Sequence, residues 1–202
     1  MPLTGENPPY GAGPQPGGRE PAPGELALVQ AFVNTHFDLA SGGGEMLASP
    51  EALAAWLSER ELLERGRRAD GRGLDRVLTV REGIRALAFA NNDQDLDTSA
   101  VEAMREASRG AATEIRLGSD GAHFVIAGAR DVDAAVGALL AIVARAMIDG
   151  SWQRLKACPG RHCGWAFYDR SRNQSARWCA MKVCGDREKA RAYYERRTSE
   201  QI

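Results

Sequence analysis

The four cysteines of this 202-residue chain all fall in one short window, as Cys158, Cys163, Cys179 and Cys184, with the spacing C-x4-C-x15-C-x4-C. A close pair lets one tight turn aim two sulfurs at one point. Two such turns, brought together by a hairpin, supply the four tetrahedral ligands that Zn2+ prefers. Four thiolates around one ion leave a formal charge of −2, which the surrounding Arg and Lys side chains help stabilise. Disulfides are the first alternative, with three possible pairings. The N-terminus, however, is Pro/Gly-rich and has no apolar core segment of the kind an export signal needs. The chain is therefore expected in the cytoplasm, where clustered cysteines are more often metal-binding or catalytic than bridged. A redox role and unconnected buried thiols are the remaining readings, and matched pairs argue against the second. His162 sits beside Cys163 and is a substitute ligand on paper, but adjacent residues usually point apart. The expectation is one structural Zn2+ held by the four cysteines.

The residues between the pairs read as a small metal-dependent fold. Gly164-Trp165-Ala166-Phe167-Tyr168 has the aromatic content and partial alternation of a strand, and Ala176-Arg177-Trp178-Cys179 reads as its returning partner. The polar stretch 169–175 makes the turn between them. Asp186 is a plausible N-cap for a helix from Arg187 to Arg197. Knuckle, hairpin, knuckle and helix is the order of a treble-clef-like finger. A unit this small buries too little apolar surface alone, so the metal would supply much of its folding free energy.

At these residues the chain resembles a known family. Cys163-Gly164-Trp165, Asp169-Arg170-Ser171-Arg172-Asn173, Arg177-Trp178-Cys179-Ala180-Met181 and Cys184-Gly185-Asp186-Arg187 are similar to the CGNR-type zinc finger of bacterial transcription regulators. The third position of the naming tetrapeptide is Asp186 instead of Asn. Both cap helices well, but an acidic side chain would weaken any contact of that position with a phosphate or a base edge. In that family the finger follows a helical stress-response regulatory domain of the ABATE type. Phe32-Val33-Asn34-Thr35 and Leu47-Ala48-Ser49-Pro50-Glu51-Ala52-Leu53 resemble pieces of it. The resemblance implies a regulator whose finger contacts DNA and whose N-terminal domain senses or couples a signal.

Charge points the same way. Residues 151–202 hold twelve Lys/Arg against five Asp/Glu, a net of +7, while the whole chain is at −1. A basic module on an acidic body is a common footprint of nucleic-acid binding. Candidate contacts are Arg170, Arg172 and Arg177 on the hairpin, and Arg187, Lys189 and Arg191 on the helix. The helical basics form no single stripe: Arg187 and Arg191 share a face, with Lys189 and Arg196 roughly opposite. A basic surface that docks on the acidic body is the competing reading. Trp165, Phe167 and Trp178 suit a mini-core better than base-stacking platforms.

The rest of the chain suggests an α+β protein, with a mainly helical N-terminal domain that carries a β-hairpin ahead of the finger. Residues 1–24 contain seven of the nine prolines and six glycines and are expected to be a disordered tail. The body should span 25–150 and the finger 151–202. Leu26, Val29, Phe32 and Val33 mark a helix over 25–37. Ser41-Gly42-Gly43-Gly44 is a flexible break. Ser49-Pro50 starts a second helix, with Leu53, Trp56 and Leu57 on its apolar face. Residues 66–73 read as loop, Val77 to Leu87 as a third helix, and Val101 with Met104 as a fourth. Residues 112–117 and 122–127 form a hairpin around Gly118-Ser119-Asp120-Gly121. Asp131 caps a central helix through Ile148, too short and too interrupted by Arg145 for a membrane span. His123 is a lone strand residue and reads as structural.

Asn34, Thr35 and His36 are either helix-end hydrogen-bonding groups or the lining of a small-molecule pocket. No glycine-rich phosphate loop, nucleophile elbow or paired catalytic carboxylates occur, and a closed four-cysteine site leaves no ligand position for water, so no catalysis is expected. The partners expected are DNA and, through the N-terminal domain, a protein or small-molecule effector, with no membrane contact. The alternative is an interaction module without DNA, with a structural zinc finger and a small-ligand-binding N-terminal domain.

Overall fold

The computed structural model of the chain describes residues 15–37, 44–111, 113–119, 121–126 and 130–199. Helix α1 (Leu26–Val33) is the centre of the body, and all eight of its residues are buried. It stops well short of the 37 expected, because Asn34 leaves helical geometry and spends its side chain elsewhere. Helix α2 (Pro50–Glu59) begins as its sequence dictates: Pro50 sits in the first turn and the Ser49 hydroxyl accepts from Ala52 N–H at 3.2 Å. Its Trp56 packs on Phe32, with ring centroids 5.7 Å apart. Helix α3 (Gly71–Ala90) starts inside the stretch read as loop, because Asp70 caps it through Gly73 N–H at 2.7 Å. Helix α4 (Thr98–Ala107), capped by Asp97, lies along α3.

Strands β1 (Thr113–Gly118) and β2 (Gly121–Ile126) form the expected hairpin, in antiparallel register with Ile115 opposite Phe124. His123 pairs with Arg116 across it, and its side chain lies outside the described residues. Helix α5 (Val132–Asp149) is capped by Asp131 and ended by Gly150 in the left-handed region, the usual stop of a helix. Phe32, Leu53, Leu57, Ile84 and Leu139 are fully buried between α1, α2, α3 and α5, each contributing about 1.5–3 kcal/mol of burial free energy. Among the described residues no helix is long and apolar enough to cross a membrane.

The C-terminal segment departs from the expected hairpin. Strand β4 (Ala166–Tyr168) pairs antiparallel with β3 (Leu155–Ala157), which precedes the first cysteine, and not with 176–179. The first knuckle is thus itself the hairpin turn. The stretch 174–176 is held by side chains instead: Lys156 Nζ donates to the Gln174 and Ala176 carbonyls, and Ala176 N–H donates to Asp169. A wide helical turn (Met181–Gly185) then runs directly into α6 (Asp186–Ser199). Asp186 is therefore already helical and is not an N-cap: its backbone N–H closes the turn onto the Met181 and Val183 carbonyls, and the turn starts at Ala180, whose carbonyl accepts from Val183, Cys184 and Gly185.

Two further contacts join the segments, and the second departs from expectation. Trp152, Leu155, Ala166 and Tyr168 belong to the same hydrophobic core as the body, while Phe167 packs with the cysteines in a second, smaller one. The start of the finger thus shares the body's core. Residues 15–22, expected to be disordered, lie across the finger. Arg19 donates to the Cys179 and Trp178 carbonyls at 2.8 and 3.1 Å and stacks over Phe167, and Gln15 is buried against Gln30 and Trp165. Composition makes this stretch unable to build a core of its own, yet it is ordered by docking on one. Residues 1–14 and 41–43 of the expected tail and break lie outside the described residues.

Candidate metal centre

The four sulfurs converge. All lie within 4.8 Å of one another, with Cys163–Cys179 at 3.7 Å and Cys179–Cys184 at 3.6 Å. Tetrahedral zinc with Zn–S of about 2.3 Å requires S···S of about 3.8 Å, whereas a disulfide would need about 2.05 Å. The geometry fits one four-thiolate zinc and no disulfide. Cys158, Cys179 and Cys184 are buried and Cys163 is half-buried, so the set is closed in the manner of a structural site. His162 is not a ligand: it is exposed, and its Nε2 accepts from Arg161 Nε at 3.1 Å.

Backbone geometry makes the first knuckle. Cys163 N–H donates to Gly160 O at 2.8 Å and Gly164 N–H to Cys158 O at 3.2 Å, folding both sulfurs inward. Gly164 turns the chain at φ 60°, and a Cβ on Gly160 would lie 3.1 Å from Cys184 Sγ, so the ring of sulfurs closes around a position with no side chain. The sulfurs lie within hydrogen-bonding reach of one another. Hydrogen bonds from Cys163 and Cys179 pull the Cys158 thiol down to about 2, and the thiolate so formed pushes Cys163 up to about 12. The same bond to Cys158 raises Cys179, and burial raises Cys184.

The body grips this centre through amide side chains. In the β3–β4 ladder the Ala166 and Ala157 backbone groups face away from the partner strand and would be open edges. Asn34, at the end of α1, accepts from Ala166 N–H at 2.7 Å and donates to its carbonyl at 2.9 Å; Gln30, one turn earlier, donates to that carbonyl as well. At the other edge Asn91 donates to Leu155 O and Asn92 to Ala157 O and Arg177 O. Arg85, buried on α3, donates to Gly164 O at 2.6 Å and to the Val33 and His36 carbonyls, and pairs with Glu82. Burial works against the Glu82 charge, but hydrogen bonds and charges of Arg85 and Arg81 outweigh it and hold its pKa low. The finger's own Asp169, fully buried, accepts from Lys156, Ser171 and Ala176.

Comparison with protein families now separates the two parts. The ABATE family model, described as "Putative stress-induced transcription regulator", matches residues 26–150, and the CGNR zinc finger model matches 154–197. The chain belongs to the ABATE family. Its C-terminal segment is a CGNR zinc finger, and no curated protein matches the chain. Neither family is a family of enzymes.

The CGNR finger places the basic residues unevenly. Arg170 is spent on Glu20 at 3.2 Å, on the Pro21 carbonyl and on the face of Tyr168. Arg191 is paired with Glu188 and Glu195 along α6. Arg172, Arg177, Arg187 and Lys189 are exposed, with Arg177 over Trp178. Phe167 is core and Trp165 is half-buried against Phe37 and Gln15, as a mini-core requires. In the ABATE body, Asn34 and Thr35 are buried; Thr35 Oγ1 donates to Phe32 O and accepts from Arg81, and His36 lies 3.9–4.0 Å from Glu82 and Glu45. The grip residues Gln30, Asn91, Asn92 and Arg85 were not singled out by sequence. Their signal is a polar residue inside an apolar helical face, as Gln30 stands in Leu26–Val33.

Proposed function

We propose that this ABATE protein is a transcription regulator whose zinc finger contacts DNA, chiefly through α6, and whose helical body couples a signal to it. One observation carries the reading. Helix α6 leaves the finger with Lys189, Tyr193, Arg196 and Arg197 exposed on one face, and among the described residues none of these three cations meets a carboxylate. An exposed helix that presents three cations without a carboxylate partner, with Arg197 resting on Tyr193, suits phosphate and groove contact. Zinc and the Ala180 turn fix its direction. Coupling runs through α1 and α3, whose Asn34, Gln30, Asn92 and Arg85 hold the strands and knuckle that carry the metal.

The test is binding of the zinc-loaded chain to genomic DNA fragments over a range of salt. Replacing Lys189, Arg196 and Arg197 by Gln should lower the slope of log affinity against log salt by about 2.7, at 0.9 per phosphate contact. No binding at low salt, or an unchanged slope, refutes the DNA role. The pairing of Arg170 with Glu20 favours a second reading, in which the basic residues of the 170–177 loop serve protein contacts. Charge reversal at Arg172 and Arg177 that removes a protein partner but leaves DNA binding intact would favour it.

A further inference from the structure

Between α1, the end of α2, β1 and α5 the body contains a cleft of about 200 Å3. Leu28, Leu62 and Ile142 form apolar wall, and Arg60 and Arg130 border it. Arg60 is the informative member. Its guanidinium lies over the Trp56 ring at 4.2 Å, and Nη1 alone makes its hydrogen bonds, to Trp56 O at 3.1 Å and Glu59 at 3.2 Å. Nε is buried with no partner, the single such side-chain atom among the described residues. Native proteins leave few buried donors unpaired, and each one asks for a cause. The Nε–Nη2 edge is the fork that matches the two oxygens of a carboxylate. The charge is also poorly compensated, because Glu59 is 71% exposed, and burial pushes the Arg60 pKa down. Of the acidic groups at the cleft, Glu25 is taken by Arg145, which leaves Arg60 and Arg130 facing Glu61.

We propose that this cleft binds a small carboxylate with a short hydrocarbon body. The carboxylate meets the Arg60 guanidinium where it borders the cleft, Arg130 adds a second positive charge, and the hydrocarbon covers Leu28, Leu62 and Ile142. At about 30 Å3 for each water-sized group, the volume suits about seven non-hydrogen atoms. Inorganic phosphate would meet the arginines but leave the apolar wall uncovered. The site gives the signal in the function proposed above a chemical class, and it rests on that reading only for its consequence. Leu28 belongs to α1, the helix whose Gln30 and Asn34 hold β4.

Binding is read without DNA, so failure here and failure of DNA contact are separate results. The zinc-loaded full chain is titrated calorimetrically with sodium pentanoate, with pentanamide as the neutral isostere, and with inorganic phosphate. The expected result is saturable 1:1 pentanoate binding, at least tenfold weaker for pentanamide and for Arg60→Met, and several-fold weaker for Arg130→Gln. Arg130 is exposed, so its variant should fold and keeps the test valid if Arg60→Met does not. No saturable pentanoate binding, equal binding of pentanamide, phosphate binding in its place, or undiminished binding by Arg130→Gln would overturn the proposal.

Discussion

Replacing Asn34 by Leu tests how the finger is held. Asn34 Oδ1 and Nδ2 together satisfy both outward backbone groups of Ala166, at 2.7 and 2.9 Å. Ala166 has no solvent exposure, so water cannot take over when the amide is removed. The Ala166 carbonyl keeps its bond from Gln30 Nε2 at 3.2 Å, but its N–H is left with no acceptor. An orphaned buried donor costs about 1–3 kcal/mol, and the second lost bond adds about 1. Leucine keeps the branching and heavy-atom count of asparagine, so no cavity opens, and its bulkier methyl groups add crowding at this packed site instead of an offsetting gain. The expected loss is about 2–4 kcal/mol, or about 4–16 °C in melting temperature for a domain of this size. Urea melts of the zinc-loaded chain, followed by tryptophan fluorescence, give the free energy. Amide exchange at Ala166 should accelerate with it. A pocket-lining asparagine would behave differently, changing ligand binding and leaving stability within about 0.5 kcal/mol. A loss below that value would refute the edge-holding role.

Other outcomes follow from the same contacts. Zinc loading should release protons and weaken as pH falls, since ligation needs thiolates and the neighbouring sulfurs or burial raise Cys163, Cys179 and Cys184; calorimetry in buffers of different ionisation enthalpy detects the release, and affinity that does not fall at low pH would contradict four-thiolate ligation. Cys179→Ser, or a strong chelator, should remove exchange protection from the 181–185 turn and α6 while α1, α3 and α5 keep theirs, because only the first group depends on the metal for its position. Asp169→Asn should destabilise the finger by about 3–5 kcal/mol at neutral pH in denaturation experiments, because it leaves Lys156 buried and charged without its partner. Burial opposes the Asp169 charge, but hydrogen bonds led by Ser171 and joined by Lys156 and Ala176 hold its pKa below the usual range. Its contribution is therefore complete above the ordinary Asp pKa of about 3.9 and disappears as pH falls through the lowered folded value, so the variant should flatten the acid limb of the stability curve.

The metal ligands were legible from spacing alone, because a tetrahedral ion needs four donors in tight turns and only Cys158, Cys163, Cys179 and Cys184 provide them. The helix starts at Ser49 and Asp131 were equally local, each side chain accepting from a backbone N–H three residues on; Asp70 and Asp97 cap in the same way, but the Gly- and Arg-rich composition of 66–73 hid the first and the second was not read. Sequence therefore determined the centre's chemistry and most of the helical body. Which strand pairs with β4 was not local. The aromatic run at 164–168 has the same strand propensity whichever partner it takes, and only the fold shows that 155–157 wins while Lys156 and Asp169 hold 174–176 apart. Nor could composition show that Gln15 and Arg19 dock on the finger, since a Pro/Gly-rich stretch orders only where another surface satisfies its polar groups. The standing of each arginine was likewise decided by tertiary contacts. Arg170 and Arg85 are the same residue type, yet one faces Glu20 at the surface and the other is sealed beneath the metal knuckle, because side-chain charge is local but its compensation depends on what the fold brings within reach.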